Sequence, residues 1–261
     1  LIRSLEDEVG ARLFDRDKRT VTLTPAGRAF EVSATRILDE ARSALTRLSE
    51  YSGRANEHAA IAILPSLAAC WWPSVLAAFV RQRPAVSIEV ADHFSHACVE
   101  LTRAGHVDFA LVSRFGEAGD MIAEEYACER FYLACRPDNR LAAEPCISVR
   151  DIAEETFIYH FRSSLILQYL DSELYPRRME RVLAVQQYST VLALVQAGIG
   201  ITAVTSLSLP LCRSLGLHTR ELPVIDLKRR SYLIRRKDRQ LSPAAAAMYQ
   251  HMLQHRPKIA S

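Results

Sequence analysis

An α/β fold of two lobes, preceded by a basic hairpin and a long helix, is predicted by three features of the sequence. Short apolar runs of strand length alternate with helix-length periodic segments from residue 59 onward. A 3.5-residue apolar repeat is sustained over three heptads before that point. The strand–helix alternation restarts near residue 130, giving more elements than one lobe holds.

Leu1 or Ile2, Leu5 and Val9 share one face of a helix that Gly10 is placed to stop. Leu13-Phe14 and Val21-Thr22-Leu23 flank the polar run Asp15 to Thr20, which predicts a small hairpin with a basic tip. Thr24 offers an N-cap oxygen, and Pro25 suits the first helical position, where no N–H is needed. The helix that follows carries Phe30, Ala34, Ile37, Ala41, Ala44, Leu48 and Tyr51 at alternating steps of four and three. It would be about 40 Å long at 1.5 Å per residue. So long an apolar seam calls for a second helix, and Phe30, Ala34, Ile37, Ala41, Ala44 and Leu48 are assigned to dimerisation. The alternative is a helix lying on its own core. Ser52 to His58, containing Gly53, reads as a linker.

In the first α/β set, Ala59–Leu64, Val86–Val90 and Val107–Val112 read as strands, with helices over Leu67–Gln82 and His96–Ala104, the latter closed by Gly105. In the second set Phe131–Cys135, Phe157–Tyr159, Val182–Val185 and Ile199–Val204 read as strands, and Ser163–Leu174 and Ser189–Ala197 as helices. Strands Leu217–Leu222 and Leu227–Arg236 and an N-capped closing helix Ser242–Gln254 complete the chain. This alternation implies parallel pairing.

Composition narrows the function classes. A net charge of +3 on 261 residues is too small to argue nucleic-acid binding by itself. No apolar run approaches the roughly 20 residues a bilayer requires, and Leu1 to Gly10 is charged where a secretion signal is apolar. The chain therefore reads as soluble and cytoplasmic. The six cysteines (70, 98, 128, 135, 146 and 212) form no C-x-x-C pair and no cluster with metal-ligand spacing, so buried reduced thiols are expected and no metal or cofactor is assigned. The sequence contains no G-x-S-x-G, no Walker-type loop, no H-E-x-x-H and no G-x-G-x-x-G, which leaves an enzyme without its machinery.

Leu1-Ile2-Arg3-Ser4-Leu5-Glu6-Asp7-Glu8-Val9-Gly10, then Leu13-Phe14-Asp15-Arg16 and Leu23-Thr24-Pro25-Ala26-Gly27, resembles the junction of recognition helix, wing and linker helix in LysR-type transcription regulators. Asp108 to Val112 and Val195 to Ile201 resemble two recurring segments of that family's effector domain. The resemblance implies a winged-helix remnant over residues 1–23, a linker and dimerisation helix over 24–52, and a sensor similar to periplasmic solute-binding proteins. Its first lobe would comprise residues 59–128 and 227–261, and its second 129–226. The chain would cross between them near Cys128 to Phe131 and Val224 to Leu227. The family's first two helices and the leading half of its recognition helix would precede Leu1. Operator DNA is therefore the expected partner of an intact protein and a weak or absent partner of the chain as given. A redox-sensing disulfide among Cys128, Cys135 and Cys146, as in peroxide-sensing members, is the alternative to buried thiols.

Arg3, Arg16, Lys18 and Arg19 are the candidate contacts to DNA phosphates, which give affinity without sequence information. The denser cluster Lys228, Arg229, Arg230, Arg235, Arg236, Lys237 and Arg239 is read as the wet face of a strand, from the alternation of Leu227, Tyr232 and Ile234. Strand ends that feed helix N-termini suit a carboxylate. Four such junctions supply the candidate ligand-binding residues Ser66, Leu67, Ser95, Phe161, Arg162, Ser163, Tyr188 and Ser189. Ser66 either caps its helix or donates to the ligand. Arg162 is the cation assigned to a carboxylate, and a hydrophobic or aromatic acid fits best. Thr205 stands where many LysR-type proteins carry a proline. The reading is a ligand-responsive transcription regulator acting as a dimer or tetramer, with an effector of unknown identity. A solute-binding protein without DNA-binding activity is the alternative.

Overall fold

The computed structural model describes residues 2–16, 21–31, 33, 34, 37, 38, 41, 58–113, 115, 116, 119–160, 165–222 and 227–257. Helix α1 (Ile2–Val9) ends at Gly10, whose φ of +68° is left-handed backbone that a side chain disfavours. Glu6 ties it to the hairpin by accepting the backbone N–H groups of Leu13 (2.8 Å) and Phe14 (3.1 Å). Strands β1 (Phe14–Arg16) and β2 (Val21–Leu23) pair antiparallel. Thr24 caps the next helix as expected, its hydroxyl accepting from Gly27 N–H at 2.9 Å and donating to the Arg12 carbonyl at 2.6 Å. That helix, α2, is described over residues 25–31 and at 33, 34, 37, 38 and 41. A Cβ on Gly27 would fall on the Leu13 carbonyl oxygen, which explains glycine there.

The first lobe is built on β3 (His58–Ile63), α3 (Pro65–Cys70), α4 (Trp72–Gln82), β4 (Ser87–Asp92), α5 (Ser95–Ala104) and β5 (Phe109–Val112). Strand β3 pairs in parallel with β4 and β5, as the alternation predicts. The single helix expected over Leu67–Gln82 is two, broken at Trp71 where Pro73 follows in the first turn of α4. Strand β6 (Met121–Cys135) is 15 residues long, and its first ten residues went unread because Glu124, Glu125 and Glu129 interrupt the apolar signal.

The second lobe contains α6 (Arg140–Ala143), α7 (Val149–Ala153), β7 (Phe157–His160), α8 (Leu165–Glu173), β8 (Val182–Val185), α9 (Tyr188–Gln196), β9 (Thr202–Thr205), a 3-10 turn at Ser206–Ser208, α10 (Leu209–Ser214) and β10 (His218–Glu221). Strand β11 (Lys228–Arg236) and helix α11 (Pro243–Gln254) follow. Parallel pairing throughout is corrected here. Strand β11 runs antiparallel to β5 and β6, and β6 runs antiparallel to β9 and β10, while β7 and β8 are parallel. The reason is that β6 is a through-going strand. Met121–Arg130 pairs with β11, and Phe131–Cys135 continues onto β9 and β10, so one ladder serves both lobes.

Each lobe has its own core. In the first, Ile61, Ile63, Phe79, Phe109 and Leu111 pack with Met248 and Tyr249 of α11. Tyr126 donates to the Met252 carbonyl at 3.0 Å, and His251 Nε2 donates to the Val75 carbonyl at 3.1 Å, fastening α11 to β6 and α4. In the second, Leu133, Leu141, Ile152, Phe157, Leu170 and Ile201 form one cluster and Ile158, Val191, Leu192 and Val195 another.

Candidate functional site: the cleft between the lobes

Between the two cores lies an open cleft of about 1000 Å³, large enough for a small organic ligand. From the first lobe it takes Ser66 of α3, Phe94 and Ser95 at the start of α5, and Ser113 after β5. From the second it takes Tyr159 and His160 at the end of β7, Tyr188 of α9, Thr205 and Ser208. Lys228, Arg229 and Arg230 of β11 complete it.

Ser66, Ser95 and Tyr188 are thus brought together from distant parts of the chain. Ser66 makes no capping bond; its hydroxyl accepts from Arg229 Nη1 at 2.8 Å. The Ser95 hydroxyl accepts from the Ser113 N–H at 3.1 Å and lies 3.2 Å from the Ser113 hydroxyl. Tyr188 is buried, with its hydroxyl beside Ser208 and the Cys70 thiol. Two expected residues are corrected. Leu67 is 1% exposed and belongs to the first lobe's core, because it points from α3 away from the cleft into the sheet. Ser189 is exposed and does not line the cleft, since one residue along α9 from Tyr188 lies about 100° around the helix. Phe161, Arg162 and Ser163 lie outside the described residues.

An aromatic contact spans the lobes. The Phe94 ring sits 4.7 Å from the His160 ring, which lies 6.0 Å from that of Tyr188. His160 Nε2 is 2.6 Å from the Gln186 carbonyl, which can only accept, so Nε2 carries the hydrogen. Burial pushes His160 below its ordinary value, which leaves the ring neutral at pH 7 and Nδ1 a lone-pair acceptor.

Among the residues missed from sequence are Glu129 and Arg229. Arg229 Nε and Nη2 donate to the Glu129 carboxylate at 2.9 and 2.6 Å, and Nη2 also donates to the Thr205 hydroxyl at 3.0 Å. Glu129 is wholly buried, and its other oxygen accepts from the Leu207 N–H at 3.3 Å. Arg229 was assigned to a wet strand face, and that is corrected: its side chain is 16% exposed and turned into the cleft. The ladder shifts register between Ser231 and Tyr232, so the phase read from Tyr232 and Ile234 does not carry back to residue 229. The signal that could have found it is Ser231, a small residue two positions from Arg229 on the same face.

All six cysteines are free thiols. Desolvation pushes Cys98 and Cys212 up to about 12 and Cys135 up to about 11, which suits inert core thiols.

The LysR substrate binding domain family matches residues 52–257, and the bacterial regulatory helix-turn-helix protein family of LysR type matches residues 1–28. The chain belongs to the LysR family of transcriptional regulators. It is 30% identical over 251 residues to the uncharacterized HTH-type transcriptional regulator YfeR of Shigella flexneri, covering 95% of this chain and 81% of that one. Its fold is that of full-length CbnR complexed with its target DNA, with a TM-score of 0.72, 21% identity, and coverage of 97% of this chain and 87% of that one. It is also that of the effector binding domain of QuiR in complex with shikimate, with a TM-score of 0.62, 15% identity, and coverage of 77% and 98%.

Two further groups of residues take their places on this LysR-type framework. Arg3 is exposed on α1 and Arg16 ends β1, whereas Lys18 and Arg19 lie outside the described residues. On α2, Phe30 and Ala34 are half-buried, and Ile37, 68% exposed, and Ala41 face outward; Ala44 and Leu48 lie outside the described residues. Among the described residues no helix is long and apolar enough to cross a membrane.

Proposed function

We propose that this LysR-family regulator is a cytoplasmic sensor of a small organic carboxylic acid, bound between a lobe of residues 59–128 and 227–261 and a lobe of residues 129–226. The observation that carries this reading is the cleft itself, which places the Ser66 and Ser95 hydroxyls, the Arg229 guanidinium and the Phe94, His160 and Tyr188 rings around one space. Hydroxyl and guanidinium donors suit a carboxylate, and ring faces suit an apolar or cyclic body. That the QuiR effector domain holds shikimate, a cyclic acid, supports the class of ligand. The helix-turn-helix match over residues 1–28 and the DNA complex of CbnR support DNA as a partner, and the outward Ile37 supports pairing of linker helices in a dimer or tetramer.

The reading assigns no catalysis and no cofactor. Ser66 bonds Arg229, Ser95 bonds Ser113, and His160 Nε2 bonds a backbone carbonyl, contacts that suit holding a ligand. Effector control then requires only that the ligand prefer one arrangement of the lobes.

A thermal-shift screen against aliphatic and aromatic carboxylic acids tests this, because a ligand at about 100 times its Kd stabilises the native state by about 2.7 kcal/mol. Repeating it with Arg162→Ala tests the second-lobe cation. No hit across the panel overturns the carboxylate sensor.

A further inference from the structure

We propose that Arg229 and Ser66 form a two-donor clamp for the carboxylate of the cleft ligand, with Glu129 as the built-in counter-ion that sets its strength. The inference rests on the cleft being a carboxylate site and adds the atoms that hold the anion and the group that opposes it.

A guanidinium has five N–H donors. Four are engaged in Arg229: Nε and one on Nη2 by Glu129, the other on Nη2 by Thr205, and one on Nη1 by Ser66. The second Nη1 hydrogen has no acceptor among the described residues. Ser66 is in the complementary position. Its oxygen accepts from Arg229, and its own proton has no acceptor among the described residues. Two open donors therefore start from atoms 2.8 Å apart, and both side chains line the cleft. A carboxylate lying across the pair can accept one hydrogen bond from Nη1 and one from the Ser66 hydroxyl.

Rigidity supports the same assignment. Glu129 and Arg229 are register partners on β6 and β11, so the fork is held by a ladder rather than by a loop. Its other contacts come from both lobes, Ser66 on α3 and Thr205 at the end of β9. Little side-chain entropy remains to be lost on binding.

Glu129 fixes the sign of the electrostatics. It already neutralises Arg229, so a ligand carboxylate arrives as a second anion on a guanidinium that carries one charge. Removing the Glu129 charge should therefore strengthen binding, and removing the Arg229 fork should weaken it. A purely structural ion pair gives no such opposition, since breaking it from either side loosens the same cleft.

The test titrates acetate, benzoate and cyclohexanecarboxylate, with acetamide, benzamide and cyclohexanecarboxamide as neutral counterparts, into the chain and its Arg229→Gln, Arg229→Lys and Glu129→Gln variants. Calorimetry supplies affinities, and the ligand-free thermal transition of each variant verifies folding. The expected result is that the bound acid outcompetes its amide and that Arg229→Gln weakens it at least about tenfold. Arg229→Lys, which keeps the charge but loses the fork, should weaken it several-fold, and Glu129→Gln should tighten it several-fold. Equal weakening by the Arg229 and Glu129 variants, or an acid indifferent to Arg229→Gln, overturns the clamp and leaves the carboxylate sensor standing. Failure of all three acids to bind either the native chain or Glu129→Gln overturns the clamp together with the sensor for these acids. Where Arg229→Gln does not fold, the Lys and Glu129 variants alone decide the sign.

Discussion

Glu129 and Arg229 stand opposite each other on β6 and β11, and the carboxylate, wholly buried, accepts two hydrogen bonds from the guanidinium at 2.9 and 2.6 Å. A charge in that position is tolerated only because it is paired. Arg229→Met should lower stability by about 3 kcal/mol in urea unfolding, since Glu129 would be left buried and unpaired. The double variant Glu129→Leu with Arg229→Met should recover most of that loss. Two losses that simply add would show that the pair is not a unit.

The exposed seam of α2 gives a second expectation. Ile37 is 68% exposed on a helix whose apolar residues repeat every 3.5 positions. Ile37→Glu should reduce the mass measured by light scattering toward that of a single chain. An unchanged mass would place the contact between chains elsewhere.

Stability should fall in mild acid. His251 is 5% exposed, and burial together with the neighbouring His255 ring 4.0 Å away holds it below its ordinary value of 6.5; burial does the same to His160. The unfolded chain therefore takes up protons first as the pH drops through 6.5. The neutral rings contribute fully above that pH, and the contribution is lost on the way down to their native values. Thermal midpoints recorded between about pH 8 and about pH 5 should decline on the acid side. His251→Gln, which keeps a donor for the Val75 carbonyl, should flatten the decline.

Gly200 occupies a place where a side chain has no room. A Cβ there would fall on the Thr156 carbonyl oxygen, which accepts from Ile201 N–H at 2.9 Å beside the Phe157–Ile201 bridge. Gly200→Ala should cost about 1–3 kcal/mol through this overlap. Gly119, with nothing within 4 Å of its would-be Cβ, is the control and should be nearly neutral to alanine.

Thiol reactivity should be uneven. Cys146 is exposed, whereas Cys98, Cys135 and Cys212 are buried with values raised by desolvation to about 12, about 11 and about 12. A thiol reagent at neutral pH should label Cys146 first and these three only on unfolding, as mass spectrometry of the modified protein would show. Early labelling of Cys135 would revive a redox role.

Helix caps and stops, which depend on neighbours in the chain, were legible in the sequence. Thr24 and Pro25 announced α2, Gly10 and Gly105 closed α1 and α5, and Ser242 capped α11 through its hydroxyl and the Ala245 N–H at 3.1 Å. The run Leu1 to Gly10 with Leu13 to Arg16 and Leu23 to Gly27 also carried the resemblance to the LysR family, in residue types and spacing. Tertiary structure alone decided the direction of β6 and β11 and the centre of the cleft. Arg229 meets Glu129 across 100 residues and Ser66 across 163, and a register shift at Ser231 turns it inward. Periodicity along one strand shows which residues can share a face; which face becomes a wall of the cleft depends on the strand laid beside it.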